Sequence, residues 1–132
     1  MKTSMILFTI LLLAMPLSIY AQENKANLSG KWELEVDIIG DKGSPTFLLK
    51  QKGDTITGTY KGRFGEAKVS GTINGKKFEY KFDATNIVDF DVTEIQNIIY
   101  KGTLDADSMK GTCDYGGFAS GTFTGKRKKD ID

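Results

Sequence analysis

A period of two runs from Leu28 to Lys128 and constrains the fold more than any other feature. Trp32, Leu34, Val36 and Ile38 alternate with Lys31, Glu33, Glu35 and Asp37. Such a segment has one apolar face and one charged face, which is the pattern of a half-buried strand. No stretch repeats its apolar residues at helical spacing. Turn signals divide the chain into eight candidate strands, near 30–38, 45–52, 55–61, 66–73, 76–84, 90–104, 109–115 and 119–127. The sixth lacks clean alternation between Asn86 and Asn97.

The turns set the expected registers. Gly53-Asp54 and Asn74-Gly75 read as two-residue hairpin turns, because Gly, Asn and Asp tolerate the positive φ such turns require. The first places Lys52 opposite Thr55, Leu49 opposite Gly58 and Phe47 opposite Tyr60. The second predicts Ile73 facing Lys76, Gly71 facing Phe78, Val69 facing Tyr80 and Ala67 facing Phe82. Asp105-Ala106-Asp107-Ser108 reads as a four-residue loop that pairs Leu104 with Met109 and Tyr100 with Cys113. Gly116-Gly117-Phe118 reads as a three-residue turn that sets Gly111 opposite Phe123. All these connections are short, so consecutive strands are expected to be antiparallel neighbours in a meander.

A small repeat runs through the meander. Thr57-Gly58-Thr59, Ser70-Gly71-Thr72, Lys101-Gly102-Thr103, Lys110-Gly111-Thr112 and Ser120-Gly121-Thr122 each place Gly on the apolar parity and Thr on the polar one. Glycine weakens an ordinary strand, so five inward glycines call for a cause. A sheet that closes on itself needs sharp bends, and a narrow barrel fills its interior by setting small residues against large ones. The expected fold is therefore all-β: an eight-stranded antiparallel up-and-down barrel. An eight-stranded barrel either fills with side chains or holds one small ligand.

Residues 1–21 read as a secretory signal peptide, with Lys2 at the start, an apolar run from Met5 to Leu13 and a small residue at Ala21. An uncleaved membrane anchor is the competing reading, but Pro16 and Ser18 shorten the run below the roughly 20 residues a span needs. The organisation expected is a signal at 1–21, a flexible lead-in at 22–27, a barrel at 28–128 and a charged tail at 129–132. The protein is then secreted or periplasmic, with no membrane span once the signal is cleaved.

Charge and rare residues limit the chemistry. The chain carries 18 Lys plus Arg against 17 Asp plus Glu. Loss of the signal removes Lys2 and leaves no net charge, which argues against nucleic acid as the main partner. There is no histidine and one cysteine. A Ser-His-Asp or Cys-His constellation cannot be built, and no intrachain disulfide is possible. Cys113 falls on the inward parity between Gly111 and Tyr115, as a small buried hydrophobe rather than a reactive thiol.

Phe47, Tyr60, Phe78, Tyr80, Phe82, Tyr100, Tyr115 and Phe123 also fall on the inward parity. A packed aromatic core is the simpler reading. Four inward tyrosines with few evident polar partners argue for an open, wet volume whose hydroxyls orient a ligand. Tyr60, Tyr80, Tyr100, Tyr115, Phe47 and Phe82 are the candidate ligand-binding residues. Two acidic groups, Asp83, Asp89, Asp91 and Glu94 near one connection and Asp105 with Asp107 in another, are weaker candidates. Asp105-Ala106-Asp107-Ser108 lacks the Gly and the later Glu of a calcium loop, so no metal and no cofactor is expected. The run Lys126-Arg127-Lys128-Lys129 reads as a solvated charged terminus more readily than as a binding patch.

Gly30-Lys31-Trp32 at the start of the first strand, with Lys126-Arg127 at the end of the last, resembles the calycin signature. In that signature a Gly-x-Trp indole stacks against a basic side chain of the final strand. The resemblance implies a structural clasp of Gly30, Trp32 and Arg127. Thr57-Gly58-Thr59-Tyr60 is similar to a segment of the avidin group, and the helices of lipocalins and fatty-acid-binding proteins have no counterpart here. The chain also resembles an uncharacterised bacterial secreted domain that carries Phe-Gly-Glu-Ala, here Phe64 to Ala67, followed by Ser-Gly-Thr at Ser70 to Thr72. Avidin-type biotin sites are walled by several tryptophans, whereas this chain has one. Biotin binding is not implied.

Taken together, the sequence points to a secreted binding module for a small apolar or aromatic ligand other than biotin. A structural or protein-interaction domain with a filled core is the alternative. An enzyme using Tyr and carboxylate groups in the barrel mouth comes third, since no catalytic motif is recognisable.

Overall fold

The computed structural model describes residues 27–88 and 91–129, with side chains described outside 86–93. The signal assigned to 1–21, most of the lead-in at 22–27, most of the tail at 129–132, and Asp89 with the Asp91 side chain lie outside the described residues.

The strands are β1 (Gly30–Ile38), β2 (Asp41–Gly43), β3 (Thr46–Lys52), β4 (Thr55–Gly62), β5 (Gly65–Asn74), β6 (Lys77–Val88), β7 (Asp91–Asp105), β8 (Ser108–Tyr115) and β9 (Ala119–Arg127). No helix occurs among the described residues. Every sequential neighbour from β3 to β9 pairs antiparallel, β1 pairs β3, and β1 also pairs β9 from Trp32 opposite Arg127 to Asp37 opposite Thr122. That last pairing closes the sheet. The result is an eight-stranded up-and-down barrel with β2 as an appendage.

The appendage has a local cause. β2 and β3 pair with β1 in one continuous register, Ile38 with Asp41 at one end and Gly30 with Leu49 at the other. Pro45 lies in the gap between them; it has no backbone N–H and cannot donate to the ladder. Its carbonyl still accepts from Leu34 N at 3.0 Å. Residues 39–44, outside any strand in the sequence reading, are thus the tip of a longer hairpin. Its turn is Ile39-Gly40 with φ of 52° and 81°, the double left-handed form that favours Asn-Gly.

Three of the four expected connections have the pairings read from sequence. Phe47 lies opposite Tyr60, Leu104 opposite Met109, Tyr100 opposite Cys113 and Gly111 opposite Phe123. The β5–β6 register is a correction. Asn74 pairs with Lys77, so Ile73 faces Phe78 and Gly71 faces Tyr80, not Phe78. The turn residues are Gly75-Lys76, and Gly75 has φ of 64° while Asn74 keeps an ordinary negative φ. Glycine takes the first central position, so the turn moves by one residue and every partner on β6 by two. The pairing also stops at Ser70 with Lys81, so Val69–Tyr80 and Ala67–Phe82 pairs do not form. Beyond that point β6 continues with β7 alone, through a bulge at Asp83 whose carboxylate accepts from Asn97 N at 2.9 Å.

The five repeat glycines mark where neighbouring backbones come closest. A Cβ at Gly58, Gly71, Gly102, Gly111 or Gly121 would lie between 1.9 and 2.4 Å from a carbonyl oxygen of the adjacent strand. No side chain fits there, which is how a sheet of this few strands coils tightly enough to close.

The antiparallel order gives the barrel two different ends. One gathers the start of β1, the β3–β4, β5–β6 and β7–β8 turns and the end of β9. Here backbone bonds stitch each turn to its neighbour: Ile73 N to Asp54 O at 2.9 Å, Leu104 N to Lys76 O at 2.8 Å, and Arg127 N to Asp107 O at 2.8 Å. The other end gathers the β1–β2, β4–β5 and β8–β9 turns with the β6–β7 extension.

Candidate functional site

The stitched end is closed by the clasp residues. The Arg127 guanidinium carbon lies 4.6 Å from the centroid of the Trp32 ring. Its Nε donates to Asp107 Oδ1 at 2.8 Å, and its Nη2 donates to the carbonyls of Asn27 at 2.9 Å and Ala106 at 3.0 Å. Its Nη1 donates to the Ser29 carbonyl. Trp32 is fully buried and its indole N–H donates to Leu28 O at 2.9 Å. A Cβ on Gly30 would sit 3.3 Å from the Arg127 side chain, so the glycine leaves the guanidinium its path. Asp107 is an anchor for this arginine. Lys126 and Lys128 face outward from the same strand end, and Lys128 reaches Glu33 at 3.3 Å.

Above the clasp, aromatic rings fill the barrel. Phe47 is the hub, with its ring 5.4 Å from Tyr60, 5.1 Å from Tyr80, 5.8 Å from Phe82 and 5.3 Å from Tyr100. Tyr80 stacks between Phe78 and Tyr100 at 5.7 and 5.5 Å, and Tyr60 stacks on Phe82 at 4.4 Å. Each such pair adds about 1 kcal/mol beyond the area it buries. Phe47, Tyr80, Phe82 and Tyr100 are therefore packed against one another rather than around an open volume. The Tyr80 hydroxyl has no hydrogen-bond partner among the described residues.

Two of the six candidate ligand residues, Tyr60 and Tyr115, lie at the other end and floor an opening of about 620 Å³. Its walls come from turns far apart in sequence: Ile38 and Pro45 from the β1–β3 hairpin, Phe64 from the β4–β5 turn, Ile95 from β7, and Phe118 from the β8–β9 turn. Ile39 and Phe118 stand on the rim turns at 89% and 79% exposed. Ile38, Asp41, Arg63, Ile95 and Phe118 line the opening although the sequence alone assigns none of them to a site. The signal for Phe118 was its place at a turn tip after two glycines, where a large apolar side chain has nothing to bury itself against.

Asp41, Arg63, Tyr60 and Tyr115 are the polar groups of this mouth that already have partners. Arg63 Nη1 donates to Asp41 Oδ2 at 2.8 Å, and its Nη2 donates to Lys42 O at 3.0 Å. The guanidinium holds the Asp41 carboxyl below the usual carboxylate range. Phe64 N donates to the Tyr60 hydroxyl at 3.3 Å. The Tyr115 and Tyr100 hydroxyls lie 2.5 Å apart in one hydrogen bond, in which either can donate to the other.

Burial governs the titration of these groups. It pushes Tyr115 up to about 12 and Cys113 up to about 11, and it raises Tyr60, Tyr80 and Tyr100 as well. The Cys113 thiol thus stays protonated and weakly nucleophilic at neutral pH. A phenol whose folded pKa exceeds its unfolded value contributes stability that is complete below about pH 10 and is lost as pH rises toward the folded value. Urea midpoints are expected to change little between about pH 6 and about pH 9, with no histidine to titrate, and to fall steeply from about pH 10 upward. Tyrosinate absorbance should appear together with the loss of the fold. Full tyrosinate absorbance in a still folded barrel would contradict the packed arrangement.

The remaining acidic candidates do not converge. Asp83 supports the bulge, Glu94 is exposed, and Asp107 holds Arg127. Among the described residues no three His, Cys, Asp or Glu side chains come together as a metal site would require. Compared with known proteins, the chain matches no family model and no curated sequence.

Proposed function

We propose that this chain is a secreted small β-barrel binding module that takes a small apolar or aromatic ligand, other than biotin, in its open mouth. The observation that carries the reading is the mouth itself. Its volume of about 620 Å³ lies within the range of small-molecule sites, roughly 300–1,000 Å³. Ile38, Pro45, Phe64, Ile95 and Phe118 give it apolar walls, its floor rests on the packed aromatic core, and Asp41, Arg63 and two tyrosines supply polar groups. Export rests on the signal at 1–21.

The test is native mass spectrometry of the protein purified from its own host, combined with titration of an environment-sensitive naphthalene probe. Saturable probe binding that is lost in Ala119→Trp, which fills the mouth from its wall, supports the reading. Absence of both a bound small molecule and saturable probe binding in a folded protein overturns it. A second reading, a protein-interaction domain, draws on the exposed Ile39 and Phe118 at the rim. That domain would leave the probe unbound.

A further inference from the structure

The charges and hydroxyls around the mouth narrow the ligand further. Two cations line it: Arg63, whose charge is already balanced by Asp41 through contacts of 2.8 and 3.4 Å, and Lys42, which stands exposed on the rim where water screens its charge. An anionic ligand would meet the Asp41 carboxylate beside that guanidinium. A cationic one would meet the guanidinium beside that carboxylate. Neither gains what a buried, unbalanced charge would give it, because the remaining lysine is exposed to water.

The floor offers something else. Tyr60 accepts the Phe64 N–H, while its own hydroxyl proton has no acceptor among the described residues. The surroundings place this hydroxyl at the mouth end of the ring. A Cβ on Gly62 would fall 2.6 Å from the Tyr60 oxygen and 3.1 Å from the Pro45 side chain, and Pro45 and Phe64 both line the opening. Tyr115 is occupied with Tyr100. A half-used phenol in an apolar site is a donor that lacks its acceptor, and a buried donor left unmatched is unfavourable.

Resting on the binding-module reading above, we infer that the mouth is built for an uncharged ligand, with an apolar body between Phe64, Ile95 and Phe118 and one neutral acceptor oxygen placed on the Tyr60 hydroxyl. A ketone, ester, amide or lactone has that chemistry. A carboxylate or an amine does not.

Three naphthalenes of nearly one shape test this: 2-ethylnaphthalene, 2-acetylnaphthalene and 2-naphthoate. Affinities are read by fluorescence, with the Tm of each variant as a fold control. The ketone is expected to bind about 3- to 10-fold more tightly than the hydrocarbon, the effect of one net hydrogen bond, and the naphthoate more weakly than the ketone. Tyr60→Phe should bring the ketone down to the hydrocarbon. Asp41→Asn, an exposed change that leaves the core untouched, should raise naphthoate affinity by freeing the Arg63 charge. Equal binding of ketone and hydrocarbon, or tightest binding of the naphthoate to the unaltered protein, overturns the inference and leaves the module standing. Failure of all three to bind a folded protein removes both.

Discussion

Trp32→Ala is expected to destabilise the barrel by about 4 kcal/mol, within the range for emptying a buried aromatic site. Three losses combine. The indole is fully buried, so its removal leaves a cavity at the closed end. The Leu28 carbonyl loses the indole N–H that lies 2.9 Å away. Arg127 loses the ring face beneath its guanidinium at 4.6 Å, a contact of about 1 kcal/mol or more when desolvated. Trp32→Phe should lose about half as much, because it keeps a ring in the site and gives up only the hydrogen bond and part of the stacking face. Urea unfolding followed by far-ultraviolet circular dichroism measures both. An unchanged midpoint for Trp32→Ala would show that the closed end is held by its backbone bonds alone.

The second large effect is expected at Gly111. A Cβ there would lie 1.9 Å from the Lys101 carbonyl oxygen and 2.5 Å from the Gly102 Cα. Both are backbone atoms of the adjacent strand, so no rotamer change can relieve the overlap. The strands must separate at a point where the sheet is most tightly coiled, and Gly111→Ala should lose about 3 kcal/mol. Gly117→Ala is the informative control. Its Cβ would have open space around it, but its φ is 83°, so only backbone strain of about 1 kcal/mol opposes the change. Comparable losses at the two sites would mean that strand approach is not what the repeat glycine serves.

Much of the barrel was legible in the sequence, because parity and turns are local. Alternation alone identifies which residues face inward, and the aromatic residues on that parity are all buried or nearly so. The Gly-Thr repeats exposed the need for tight coiling before any pairing was known. The β5–β6 register failed because Asn74-Gly75 and Gly75-Lys76 are both plausible two-residue turns, and adjacent strands decide between them.

The mouth was less legible for a different reason. Parity tells on which side of a sheet a residue lies but not at what height along the barrel axis. Tyr60 and Tyr115 share their parity with Tyr80 and Tyr100, yet two reach the opening and two are packed below it. Height depends on strand tilt and stagger, which emerge only when the sheet closes. Arg63 and Asp41, 22 residues apart, meet for the same reason.

The closure of β1 on β9 also bears on how the chain reaches its fold. Each other neighbouring pair in the ring is joined by a short connection and can form as soon as its own two strands exist. The closing contacts join positions nearly the whole domain apart, with 95 residues separating Glu33 from Lys128 and 98 separating Ser29 from Arg127. Searching for such distant contacts is slow compared with zipping a hairpin. Until the last strand arrives, β1 keeps an open edge and Trp32 lacks its arginine. A chain threaded across a membrane from its amino terminus would therefore hold an unclosed ribbon until its final residues emerged, and only then snap into a ring.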